Sequence, residues 1–124
     1  MTIRSLQYFA LAVPDPTVGR TFYEAFGLEA KERASSIAMR CFGRDQDQIV
    51  MVEGPKKRLH HVCLGTGAAD LPPIKARLEK AGVRLLDPPN EIGPDASGLW
   101  FHDPDGLLVN VKVAEKKPAR TDPP

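Results

Sequence analysis

Two hydrophobic rhythms alternate along this chain. From Ile3 to Val13 the period is two, placing Leu6, Tyr8, Ala10 and Ala12 on one face of a strand and Phe9, Leu11 and Val13 on the other. The period then lengthens to that of a helix. Asp15 can cap it, Pro16 suits its first position, Val18, Phe22, Ala25 and Phe26 give it an apolar stripe, and Gly27 supplies a left-handed stop. Three short strands are predicted next, at about 28–33, 37–42 and 48–53.

The same order begins again at Leu59. Leu59, His61, Cys63 and Gly65 share one face of a strand, while Val62 and Leu64 share the other. A helix is predicted from Asp70 as cap, with Pro72 and Pro73 in its first turn, where missing amides cost little. Its stripe is Leu71, Ile74, Leu78 and Ala81, and Gly82 ends it. Three more strands are predicted near 83–87, 98–102 and 107–113. Asp103-Pro104-Asp105-Gly106 joins the last two as a turn: Pro presets φ at the second position and Gly accepts positive φ at the fourth.

LQYFALA at 6–12 and LHHVCLG at 59–65 are therefore two copies of one opening, with Tyr8 superposed on His61, Gly27 on Gly82, and Val52 close to Asn110. A unit of this size cannot bury its sheet alone, so two copies must pair. The pattern predicts an α+β fold: two βαβββ modules, 1–54 and 58–115, forming a curved mixed sheet around a cleft, with the helices on the outer face. Phe9, Leu11, Val62, Leu64, Val109 and Val111 are expected beneath the helices. The opposite parity, with Tyr8, Arg40, Gln48, His61, Trp100 and Asn110, is expected to line the cleft. Residues 116–124 read as a flexible tail or an interdomain linker.

Composition narrows the partners. The 124 residues make one domain, and 42% hydrophobic with 27% charged residues is enough for a core without staples. A net charge of +1, spread along the chain, gives no footprint for nucleic acid or an anionic membrane, and Lys56-Lys57-Arg58 reads as a solvated linker. No apolar run approaches the roughly 20 residues that span a bilayer, and the opening lacks a signal-peptide core, so a cytoplasmic location is expected. Cys41 and Cys63 form no zinc or redox spacing, and both are expected to be buried thiols within apolar strands.

The stretch LQYFALAVPDPTVGRTFYEAFGL resembles the opening strand and helix of the vicinal oxygen chelate superfamily: glyoxalases, bleomycin resistance proteins and extradiol ring-cleaving dioxygenases. GLWFHDPDGLLVNV resembles that superfamily's closing Phe-x-Asp-Pro-Asp-Gly pattern, and together the two span residues 3 to about 114. MRCFGRDQDQIVMVEGPKKRLHHVCLG is most similar to the extradiol dioxygenases. The resemblance implies a divalent metal held by His, His and Glu on the cleft face, as ferrous iron is in extradiol enzymes. Those positions here are Tyr8, His61 and Asn110, of which only His61 is a ligand-type residue. A phenol with a pKa near ~10 and a neutral carboxamide do not offset a dication, so no metal is expected. His60 has the wrong parity, His102 sits beside the turn, and Glu53 or Asp45 would serve only after a one-residue slip that turns Ile49 and Met51 out of the core.

Each candidate also has a plain structural role. His61 and Tyr8 fill space with their polar atoms satisfied, Trp100 walls the cleft or stacks on a flat ring, and Arg40 is solvated or a counter-charge to an acidic or phenolate ligand. The expected function is an extradiol-dioxygenase-like domain without its own metal, binding a small, aromatic ligand or supporting a catalytic partner domain, or acting as a homodimer. One alternative is an Fe(II)-dependent ring-cleaving dioxygenase of catechol-like substrates. Another is a bleomycin-resistance-type drug-binding dimer, although such proteins tend to be acidic and this chain is neutral.

Overall fold

The computed structural model describes residues 3–114; Met1, Thr2 and residues 115–124, which include the expected tail or linker, lie outside the described residues. The fold is α+β, with mixed pairing of strands and, among the described residues, two α-helices and one 3-10 helix. The described chain divides into two compact units, one of residues 8–60 and one of residues 3–7 with 61–114. β1 (Ile3–Val13) and β5 (Arg58–Thr66) each contribute to both.

In the 8–60 unit, β1 leads into α1 (Pro16–Ala25), β2 (Glu29–Glu32), β3 (Ile37–Arg40) and β4 (Asp47–Glu53), and the strands lie in the order β2-β3-β4-β1. Pairing is antiparallel from β2 to β4, whereas β4 runs parallel to β1, the connection that α1 makes possible. The helix starts where the sequence places it: the Asp15 backbone is extended and its carboxylate accepts the Thr17 N–H at 3.0 Å. Gly27, at φ +104°, ends it. Met39, Ile49 and Met51 form the buried core, with Leu11, Val13, Tyr23, Leu28 and Ile37 packed around them. Ile49 and Met51 therefore face inward, as the predicted register requires.

Two expectations fail in this unit. The apolar stripe of α1 does not face the sheet: Val18, Phe22 and Phe26 are 66%, 62% and 61% exposed, and Tyr23 makes the core contact instead. The reason is Gly19. A Cβ there would stand 2.5 Å from Met51 Sδ, so the helix approaches the sheet along its Gly19–Tyr23 side and turns the larger apolar residues outward. Secondly, β3 stops at Arg40 instead of running to Phe42, because the ladder is irregular between Met39 and Arg40. Cys41 is consequently exposed, which corrects the expectation of a buried thiol, while Cys63 is buried.

In the other unit, β5 leads into α2 (Leu71–Lys80), then β6 (Leu99–His102) and β7 (Leu108–Val113). Parallel β5 and β7 and antiparallel β7 and β6 follow one another outward, with the opening residues of β1 beside β5. The approach of those residues is close, since a Cβ on Gly65 would meet Ser5 Oγ at 2.6 Å. Val109 and Val111 are buried and Val62 and Leu64 half-buried, as expected for the helix-covered parity, whereas Phe9 of β1 is exposed. The predicted strand at 83–87 does not form, although Leu86 N–H reaches Trp100 C=O at 2.7 Å. The segment runs into Pro88 and Pro89, whose missing amides cannot extend a ladder. Asp70 also departs from expectation: it caps α2 without a side-chain hydrogen bond and its carboxylate pairs with Arg4 at 3.1 Å. The Asp103 turn forms as predicted, with Asp103 Oδ1 accepting the Asp105 and Leu107 N–H groups and Gly106 at φ +89°.

Candidate functional site

Parallel pairing of β5 with β7 and antiparallel pairing of β7 with β6 put Cys63, Asn110 and Trp100 side by side across three strands. Side chains in such a row share one face of the sheet. His61, two residues before Cys63, shares that face, and its ring meets the Trp100 ring edge-on with centroids 4.8 Å apart. This is the predicted grouping of His61, Trp100 and Asn110, with Cys63 added.

The group is buried and hydrogen-bonded. His61, Cys63, Trp100 and Asn110 are all at most 1% exposed. Asn110 Nδ2 donates to Ser97 C=O at 2.9 Å and Leu99 C=O at 3.0 Å, and its Oδ1 accepts from the Cys63 thiol at 3.3 Å. Trp100 Nε1 donates to Ala96 C=O at 3.1 Å. The loop that offers these carbonyls turns at Gly98, where φ is +92° and a Cβ would lie 2.2 Å from Val111 O, so only glycine fits. Among the described residues no buried side-chain nitrogen or oxygen lacks a partner. The carboxamide thus acts as a clip between β7 and the strand preceding it, where an unsatisfied group would cost about 1–3 kcal/mol.

The 8–60 unit holds the other three expected residues. Tyr8 is buried, Gln48 is half-buried, and Arg40 is drawn into an ion-pair network. Asp47 accepts from Arg40 Nε at 2.8 Å and from Arg33 Nη1 at 2.8 Å. Burial alone would raise the Asp47 carboxyl, but hydrogen bonds from Arg33 and Arg40 and their charges outweigh it and hold its pKa below the ordinary carboxylate value. Arg40 is therefore a counter-charge, to Asp47 of its own unit. The row equivalent to Cys63-Asn110-Trp100 here is Ala10-Val50-Ala38. This corrects the superposition of the two halves: Asn110 corresponds to Val50, two residues before Val52, because β4 pairs with β1 one dipeptide further along than the loop alignment suggests.

The metal-ligand positions implied by the resemblance are occupied by groups already spent on packing. Asn110 carries no charge and its carbonyl is accepting a thiol, and His61 is sealed against Trp100. This donor set does not fit a divalent metal, which needs anionic or imidazole ligands with open positions. Among the described residues no three His, Cys, Asp or Glu side chains converge as a ligand group. Of the alternatives, His60 is buried, whereas His102, Glu53 and Asp45 are exposed. Sequence reading missed Cys63 and Asp47 as polar partners. Cys63 had a signal, its shared parity with His61; Asp47 had none, because only the pairing of β3 with β4 sets Arg40 opposite it, and Arg33 lies outside both strands.

The model of the Glyoxalase/Bleomycin resistance protein/Dioxygenase superfamily matches residues 5–111. Metapyrocatechase 2 of Cupriavidus necator is 33% identical over 131 residues, covering 97% of this chain and 38% of that protein. Among solved structures, the Mn(II)-bound glyoxalase from Novosphingobium aromaticivorans is similar with a TM-score of 0.74 and 26% identity, over 95% of this chain and 43% of that one. The 2,3-dioxygenase LapB from Pseudomonas sp. KL28 shares the fold, with a TM-score of 0.76 at 18% identity, over 90% of this chain and 41% of that one. The chain thus spans about two-fifths of the length of these relatives.

Proposed function

The chain belongs to the Glyoxalase/Bleomycin resistance protein/Dioxygenase superfamily, and from that premise we propose that it is an extradiol-dioxygenase-like domain that holds no metal of its own and supports a catalytic partner domain. The observation that carries this reading is the engagement of Asn110: the residue standing where the resemblance implies an anionic ligand is a neutral amide bonded on both its nitrogen and its oxygen. A domain whose inner face is filled by its own Trp100, His61 and Asn110 contributes rigidity rather than a reaction. The match to two-fifths of a metapyrocatechase supports a role beside a second domain. Tyr8, likewise buried, is a space-filler in this reading, and Arg40 is held by Asp47 in its own unit. No described helix is long and apolar enough to cross a membrane.

The same burial weighs against an aromatic ligand on that face, since a ligand would have to displace close-packed side chains. The names of two relatives, a metapyrocatechase and a 2,3-dioxygenase, keep the Fe(II)-dependent alternative in view. The test is elemental analysis of protein purified without chelators, followed by ferrous iron titration and oxygen uptake with catechol. The expected result is iron far below stoichiometry and no ring cleavage by this chain; one tightly held iron per chain with turnover would overturn the proposal.

A further inference from the structure

A groove of about 510 Å³ opens in the 8–60 unit between α1 and the strands it covers. Leu11 and Val13 of β1, Val18 and Phe22 of α1, and Met51 of β4 line it, and Lys57 completes the lining. It lies on the helix-covered face, opposite the parity of Tyr8, Ala10 and Ala12, so it is separate from the face that carries Tyr8. The groove follows from the rotation of α1: with no side chain at Gly19, the helix sinks onto Met51 and leaves Val18 and Phe22 standing as a wall.

Charge gives the groove a direction. Asp15, also in the lining, spends its carboxylate on the Thr17 N–H. Lys57 makes no hydrogen bond or ion pair among the described residues, and Lys56 and Arg58 flank it. We propose that this groove binds a small amphiphilic carboxylate, its apolar body between Phe22 and Met51 and its carboxylate on Lys57 Nζ. The volume is that of a small-molecule site, typically about 300–1,000 Å³ with apolar walls and few polar groups. The soft thioether of Met51 and the edge-on cluster of Phe22, Tyr23 and Phe26 favour an aryl body.

The experiment is a nuclear magnetic resonance titration of the full chain with 4-phenylbutyrate, 4-phenylbutan-1-ol and 4-phenylbutylamine. Shifts are expected at Leu11, Val13, Val18, Phe22 and Met51, with the acid binding about fivefold more tightly than the alcohol and the amine weakest. Lys57→Gln, at an exposed position, is expected to erase the acid's advantage and leave the alcohol unchanged. Val18→Glu, also exposed, is expected to weaken all three. The proposal is overturned by an absence of shifts at these residues at millimolar acid, or by undiminished preference for the acid in K57Q. It is equally overturned by sedimentation showing a dimer of the wild type that Val18→Glu dissociates, since the groove would then be covered by a second copy.

Discussion

Two rows of side chains hold equivalent places in the two units and solve the same problem oppositely. Ala10-Val50-Ala38 is small and apolar; Cys63-Asn110-Trp100 is polar and aromatic. All six residues are buried. The first row needs nothing but close approach. The second needs a matching set of carbonyls, which the turn at Gly98 supplies by presenting Ser97 and Leu99 to the amide. One strand arrangement therefore tolerates either filling, provided that each polar atom brought inside meets a partner.

The sharpest way to break the comparison is at its largest member. Trp100→Ala should destabilise the chain by about 3–5 kcal/mol, the usual cost of emptying a large aromatic site. Thermal or urea unfolding checks it, and a loss below that of an ordinary Leu→Ala change would mean that Trp100 is not the centre of its row. Next in size is Asn110→Leu, which keeps the branching at Cγ and removes the amide. It should cost about 1–3 kcal/mol, because it strands the carbonyls of Ser97 and Leu99; a stabilised variant in urea titrations would show that the clip is dispensable.

The smallest effect sharpens the contrast by leaving both rows intact and striking the ion pairs of the 8–60 unit. Asp47→Asn should cost about 1 kcal/mol. The carboxyl's pKa is lowered in the folded protein, so its stabilisation is present above the unfolded value near ~3.9 and is lost as pH falls through the lower folded value. Unfolding midpoints followed from pH 6 down to pH 2 should accordingly decline in the parent, with a shallower slope in the variant. Identical slopes would remove Asp47 from the account.

What the sequence disclosed depended on which force decided each feature. Period-two and period-3.6 patterns located β1, β5 and both helices, because burial of one face imposes them. The caps at Asp15 and Gly27 and the Asp103 turn were equally legible, being local chemistry. The facing of α1 was not, since it is set by contact between Gly19 and a distant Met51, and no apolar stripe reports the thickness of a helix. The missing strand at 83–87 had a local warning in Pro88-Pro89. Parity correctly grouped His61, Trp100 and Asn110, but it cannot tell a lined cavity from a filled interior. That distinction rests on the carbonyls of the 96–99 loop, which no side-chain pattern encodes.

The division of β1 has a consequence for how the chain is made. Its first described residues, 3–7, pack with a unit otherwise built from residues 61–114, while the rest of the same strand belongs with residues 8–60. Synthesis therefore delivers residues 3–7 before any of residues 61–114 that they pack with, and closing that long loop is entropically costly. Residues 3–7 are made first and find their place last.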